Sequence, residues 1–146
     1  MRKALFFSMW LSSFAFADDC QIVISSNDQM QYDQKNFTIP KQCKNFQVTL
    51  QHTGNLPKVA MGHNLVIVRQ SDLESVATEA LAAGPSNGYL KPDDARVIAH
   101  TPMIGGGEKA QTTIDVTKLN SEEEYLYFCS FPGHYAMMKG KITIEK

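Results

Sequence analysis

The strongest constraint this chain places on its own fold is side-chain alternation with a period of two. In Phe46-Gln47-Val48-Thr49-Leu50-Gln51-His52, apolar positions alternate with polar ones. A pleated strand sends successive side chains to opposite faces, so this segment buries one face and wets the other. His52 falls on the apolar face and reads as a packed histidine. The run 65–68 is continuously apolar, as expected of a strand covered on both sides. Residues 21–25, 96–99, 111–116, 125–130 and 141–144 also read as strands, for seven or eight in all. Short strands in that number predict an all-β Greek-key sandwich of about eight strands. One segment breaks the pattern. Ser71-Asp72-Leu73-Glu74 reads as a capping box with Ser71 as N-cap. Leu73, Val76, Ala77, Ala80 and Leu81 then follow a helical period until Gly84-Pro85. A short helix is therefore expected against the outside of the sandwich.

The N-terminus reads as a leader and not as part of the fold. Arg2 and Lys3 precede a mostly apolar run, and Ala15-Phe16-Ala17 offers small residues where a signal peptidase cuts. The run is shorter than the ~20 residues that span a bilayer. Asp18 and Asp19 replace the small residues that precede a lipidated cysteine. The expected division is a cleaved signal peptide over 1–17 and one domain over 18–146, exported to the periplasm without a membrane anchor. Loss of Arg2 and Lys3 makes the formal charge of −1 more negative by two, which argues against nucleic acid as a partner.

In an oxidising compartment three cysteines leave one unpaired. The economical reading joins Cys20 to Cys43 and keeps Cys129 as a thiolate; a scrambled or intermolecular pairing through Cys129 is the alternative. Closing the Cys20–Cys43 loop would stabilise the fold by roughly 3–4 kcal/mol in the chain-entropy model.

Cys129 opens a spacing that carries chemistry: Cys129-x4-His134-x3-Met138, with His63 upstream. One thiolate, two imidazoles and a weak thioether make the donor set of a mononuclear blue-copper electron-transfer centre. Cys129 ends an apolar strand, and Phe131-Pro132-Gly133 turns the chain so that His134 returns towards it. Gly62 lets the backbone before His63 approach a metal closely. The expected cofactor is one copper ion cycling between Cu(I) and Cu(II).

Ordered matches run the length of the mature chain: C-x-I at 20–22, N-D-Q-M-Q at 27–31, G-N-L-P at 54–57 and M-G-H-N at 61–64. Y-L-K-P-D-D-A-R-V-I-A-H at 89–100, I-G-G-G-E-K at 104–109 and F-C-S-F-P-G-H-Y-A-M-M-K-G at 128–140 complete them. In these the chain resembles the azurins, bacterial periplasmic cupredoxins. The resemblance implies a cupredoxin sandwich with a Cys20–Cys43 disulfide. It implies His63, Cys129 and His134 in a trigonal plane, with Met138 and the Gly62 carbonyl as weak axial ligands. It further implies that the backbone N–H groups of Asn64 and Phe131 hydrogen-bond the thiolate, and that Asn64 and Ser130 tie the ligand loops together. Met30, Leu56, Leu81 and the docking residues Met61, Phe131, Pro132, Ala136 and Met137 would form an apolar patch around the His134 edge. The implied partners are transient redox proteins: c-type cytochromes, and a nitrite reductase, peroxidase or oxidase. The implied state is a monomer. Two departures stand out. Leu65 replaces a tryptophan frequent in the family, and the only tryptophan, Trp10, lies in the leader. Met137 precedes Met138 and offers a second thioether, which family register assigns to the surface.

Other functions fit less well. A Cys129–His134 nucleophile and base would leave Met138 and His63 unexplained. A multicopper oxidase needs more histidines than the four present. Methionine is a poor zinc ligand. Gly105-Gly106-Gly107 lacks P-loop spacing and reads as a turn, and His100 reads as a surface histidine. The remaining rival is a periplasmic copper carrier or resistance protein, which would favour an open, exchangeable site.

Overall fold

Nine strands form within residues 20–146, the part of the chain that the computed structural model describes; the expected leader and Trp10 lie outside the described residues. The strands are β1 (Gln21–Asn27), β2 (Gln31–Tyr32), β3 (Asn36–Ile39), β4 (Asn45–His52), β5 (Val66–Arg69), β6 (Val97–His100), β7 (Lys109–Asp115), β8 (Tyr125–Phe128) and β9 (Lys139–Ile144). Two short helices interrupt them, α1 (Lys58–Met61) and α2 (Leu73–Ala83). One sheet has the order β2-β1-β4-β7 and the other β3-β9-β8-β5-β6. Each is mixed, with β1 parallel to β4 and β3 parallel to β9. The expected sandwich is present. Its two additional short strands, β2 and β3, carry too few residues to show a period.

Alternation explains the packing. Along β4 the buried positions are Phe46, Val48, Leu50 and His52, as their spacing predicts. The side chains of Phe46, Val48 and Leu50 meet Ile24, Ile39, Ile114, Tyr125, Tyr127 and Ile142 from both sheets in one core. The apolar run 65–68 is buried on both sides for a definite reason. Leu65 and Ile67 face this core. Val66 and Val68 face outward onto a second cluster, where Leu73, Val76 and Ala77 of α2 cover them together with Leu90 and Phe128.

The helix starts later than the capping box predicts. Gln70 N–H donates to Glu124 O at 2.8 Å, which holds the chain on the sheet through residue 70. A 3-10 turn over Gln70–Asp72 then leads into α2, so Asp72 stands at the N-cap and its side chain makes no capping bond. Ser71 does not cap, and Glu74 accepts instead from the Tyr135 hydroxyl at 3.4 Å. Leu81 also departs from expectation. It sits one residue beyond the buried stripe of Leu73, Val76, Ala77 and Ala80 and is 70% exposed. The helix ends at Gly84, whose φ of +74° breaks the helical path. Cys20 and Cys43 form a disulfide at a Cα–Cα distance of 5.6 Å. No helix among the described residues is long and apolar enough to cross a membrane.

Candidate metal centre

Three segments converge at one end of the sandwich. Cys129 directly follows β8, and its N–H donates to Met138 O at 3.0 Å, closing the loop between them. Within that loop His134 N–H donates to Phe131 O at 3.0 Å, and Met138 N–H donates to His134 O at 2.8 Å. Gly133 makes the reversal possible with a φ of +82°, a left-handed conformation that costs glycine little. The third segment carries His63, whose N–H and C=O exchange hydrogen bonds with Ile104 at 2.9 and 2.8 Å. Before it stands Gly62, where a Cβ would lie 2.6 Å from Lys58 O and 3.0 Å from the Phe131 ring. Only glycine fits there, and its carbonyl oxygen lies 3.8 Å from Cys129 Sγ.

The donor atoms are close and suitably oriented. Cys129 Sγ lies 3.8 Å from His63 Nδ1 and 3.7 Å from His134 Nδ1. All three donors fall within 4.8 Å of one another. A cation bonded to imidazole nitrogen and thiolate sulfur at about 2.0–2.3 Å would separate donors by ~3.7 Å in a trigonal plane and by ~3.5 Å in a tetrahedron. The observed sulfur–nitrogen distances match the plane. His63 Nε2 donates to Asn27 O at 2.8 Å, which fixes the tautomer and leaves the Nδ1 lone pair facing the sulfur. Soft sulfur with imidazole suits copper and excludes the hard, oxygen-seeking cations. Among the described residues no carboxylate joins this cluster.

Burial sets the protonation states. Cys129 and His63 are fully buried. Burial pushes the Cys129 thiol up to about 12, against the pull of N–H groups from Asn64 and Phe131. It lowers His63 to about 4, opposed by the Asn27 carbonyl, and lowers His134 as well. The metal-free site therefore holds a neutral thiol and two neutral imidazoles, and an arriving cation must displace only the thiol proton.

Surrounding contacts fix this arrangement. Asn64 Nδ2 donates to Ser130 Oγ at 2.8 Å, and Ser130 N–H donates to Asn64 Oδ1 at 2.9 Å, so the two loops are stitched together. Ser130 Oγ also donates to Gly88 O at 2.9 Å, drawing in the segment after α2. The His52 ring stacks on His63 with centroids 4.4 Å apart. Its Nδ1 accepts from Gly54 N–H at 3.0 Å and its Nε2 meets Met61 O at 3.0 Å, so neither nitrogen is offered to a metal. Met138 is fully buried in the same core cluster as Cys129, whereas Met137 is 57% exposed.

His134 alone of the three donors reaches the surface. It is 4% exposed, and among the described residues nothing pairs with its Nε2, yet no buried side-chain nitrogen lacks a partner. That edge is therefore the wet one. Phe131 lies beside the ring with centroids 4.6 Å apart. Met61 and Pro132 are half-buried, and Ala136 is exposed. Leu56, on the loop before α1, and Val59, within α1, are also exposed. Sequence reasoning missed Val59, because a four-residue helix shows no period. It also missed Asn27, whose contribution is a backbone carbonyl, and Tyr32, whose hydroxyl reaches Asn64 O across the sandwich. His100 is exposed, as expected.

Comparison with known proteins agrees with this chemistry. Residues 18–145 match the family of copper binding proteins described as plastocyanin/azurin. The chain is 50% identical to an azurin of Pseudomonas aeruginosa over 135 residues, covering 92% of this chain and 91% of that protein. It is 54% identical to an azurin of Pseudomonas fluorescens biotype B over 127 residues, 87% of this chain and 99% of the other. Among solved structures, the azurin Az-iso2 of the obligate methylotroph Methylomonas sp. strain J superposes with a TM-score of 0.84 at 42% identity, covering 87% of this chain and 98% of that one.

Proposed function

This chain belongs to the plastocyanin/azurin family of copper-binding proteins, and from that membership we propose that it is a periplasmic one-electron carrier, exported by a leader over 1–17 and working as a monomer. The observation that carries the reading is the convergence of one thiol and two neutral imidazoles, all buried and held by backbone and side-chain hydrogen bonds. His63, Cys129 and His134 would hold one copper ion, with the Met138 thioether and the Gly62 carbonyl as weaker donors. When bound, the ion supplies a one-electron Cu(I)/Cu(II) couple. The chain's own residues supply the frame. Asn64 and Ser130 keep the two loops in register, Asn27 orients His63, and the core around Leu65 and Met138 excludes water. A frame that resists change between oxidation states lowers the reorganisation that electron transfer requires.

The His134 edge is the proposed exit for electrons, with Met61, Phe131, Pro132, Ala136 and Met137 as the docking face. Partners such as c-type cytochromes and a nitrite reductase, peroxidase or oxidase would dock briefly there, since transient redox interfaces are small. No catalytic step is assigned to the site. Burial of the donors argues against a carrier that hands its metal on, because exchange needs an open site.

Addition of Cu(II) to the metal-free protein tests the reading. Intense blue absorption that bleaches with one electron equivalent, and that a Cys129→Ser variant loses, is the expected result. A colourless protein that takes up Cu(I) alone would instead make it a carrier.

A further inference from the structure

The hairpin formed by β1 and β2 reaches the metal centre at two points. Asn27, the last residue of β1, offers its carbonyl to His63 Nε2. Tyr32, the last residue of β2, sends its hydroxyl across the sandwich to donate to the carbonyl oxygen of Asn64. Tyr32 is only 2% exposed, and its ring packs on Tyr127 with centroids 5.6 Å apart, so the hydroxyl is aimed by a packed side chain.

Asn64 is the residue through which this contact acts. Its backbone N–H pulls the Cys129 thiol down against the effect of burial. Its side chain binds Ser130 at 2.8 and 2.9 Å. The following peptide is held at both ends, since Tyr32 donates to its carbonyl and its Leu65 N–H donates to Thr101 Oγ1 at 3.0 Å. The carbonyl and both side-chain polar groups of Asn64 are thereby engaged. Without the hydroxyl, a buried carbonyl has lost its donor, and such a group turns towards another or stays unpaired at a cost. Turning moves the Asn64 backbone, and with it the N–H that faces the thiolate.

We propose that Tyr32 is a positioning residue for the redox centre: its hydroxyl holds the Asn64 backbone so that the Asn64 N–H stays on the Cys129 sulfur. The inference rests on the copper reading above. A hydrogen bond to a metal-bound thiolate favours the electron-richer, reduced state, so the strength of that bond tunes the reduction potential. Tyr32 thus sets the potential through the Asn64 backbone without touching a ligand.

The test compares Tyr32→Phe with Tyr127→Phe. Both variants lose one hydroxyl from the same aromatic cluster, but Tyr127 donates to Gln34 O at 2.8 Å and not to Asn64. Copper-loaded Tyr32→Phe is expected to show a lower reduction potential and a shifted thiolate-to-copper absorption band, while Tyr127→Phe shows neither. In the copper-free proteins, hydrogen exchange at the Asn64 amide should quicken in Tyr32→Phe alone. A Tyr32→Phe protein with wild-type potential, band and Asn64 exchange overturns the proposal, and so does an equal shift in Tyr127→Phe. If Tyr32→Phe does not fold, Tyr32→Met takes its place with the same outcomes. A wild-type protein that never turns blue would sink the copper reading itself, a result separate from any difference between variants.

Discussion

At the scale of single residues, close approach explains more than residue class. Gly140 lies on β9 opposite Tyr127 of β8. A Cβ there would sit 2.2 Å from both Cζ and Oη of Tyr127. That ring is unable to retreat, being fully buried, packed against Tyr32 and Phe37 at 5.6 and 5.4 Å and tied through its hydroxyl to Gln34. Overpacking of this kind costs about 1–3 kcal/mol. Gly140→Ala is therefore expected to lose ~2–3 kcal/mol in urea unfolding with an unchanged slope; a loss below about 0.5 kcal/mol would show that the Tyr127 pocket yields. The sequence hints at glycine here only through family resemblance, since the clash involves a partner thirteen residues away. Leu65 shows the opposite case. It fills the core at no exposure where the family resemblance led to an expectation of tryptophan, and its backbone bonds to Thr101 do not depend on the side chain.

At the scale of elements, legibility followed periodicity and length. The alternating β4 and the doubly buried β5 could be read from the order of residues, because each has enough positions for a pattern and a core to enforce it. The two-residue β2 and four-residue α1 have no such run, and they are held by tertiary contacts. The start of α2 was misread because the Ser71–Glu74 spacing is a local signal, and a sheet contact at Gln70 overrides it. At the metal centre, side-chain donors were legible from their spacing, whereas Asn27 and Tyr32 act on the site through contacts that no short motif encodes. What fastens the far end of the α2 segment is likewise a long-range contact. Arg96 donates to Asp94 from Nε and Nη2 at 2.9 and 2.6 Å, and to Glu79 of α2 from Nη1 and Nη2 at 3.0 and 2.7 Å. Hydrogen bonds from Arg96 hold the Asp94 carboxyl down at about 2, from an ordinary value of 3.8, and those on Glu79 lower it too. A carboxyl lowered on folding adds stability above its unfolded value, and that stability is lost as pH falls through the folded one. Arg96→Met should thus be less stable than wild type at pH 7, and the gap should close as pH falls from about 4 towards about 2. Thermal melts across that range check it, and a gap independent of pH would assign the effect to packing of the arginine stem.

At the scale of the whole molecule, covalent and non-covalent closures overlap where β1 begins. The Cys20–Cys43 bond joins residues 23 apart. Parallel pairing of β1 with β4 begins immediately beyond it, at Gln21 and Gln47, and Gln47 N–H donates to Cys20 O at 2.8 Å. The native register therefore survives without the bond, and its contribution lies mainly in restricting the unfolded chain, about 3 kcal/mol in the chain-entropy model. A Cys20→Ala/Cys43→Ala variant should lose roughly that in denaturant yet keep the wild-type visible spectrum when loaded with copper; loss of the spectrum would show that the bond shapes the site. At the opposite extreme of exposure, Met137 and Val23 are each 57% exposed, but they occupy different surfaces. Met137 follows the His134 turn, whereas Val23 lies on the outer face of the sheet containing β1. If partners dock over the His134 edge, a carboxylate at Met137 must be desolvated in every productive encounter, and one at Val23 never is. A penalty of only ~1.4 kcal/mol already means a tenfold effect, and an unpaired charge in an apolar contact costs at least that. Met137→Glu should thus slow reduction by a c-type cytochrome about tenfold or more, with the charge-transfer band unmoved, while Val23→Glu, which changes net charge equally, keeps the wild-type rate. Equal slowing in the two variants would move the docking face away from His134 and leave long-range charge as the cause.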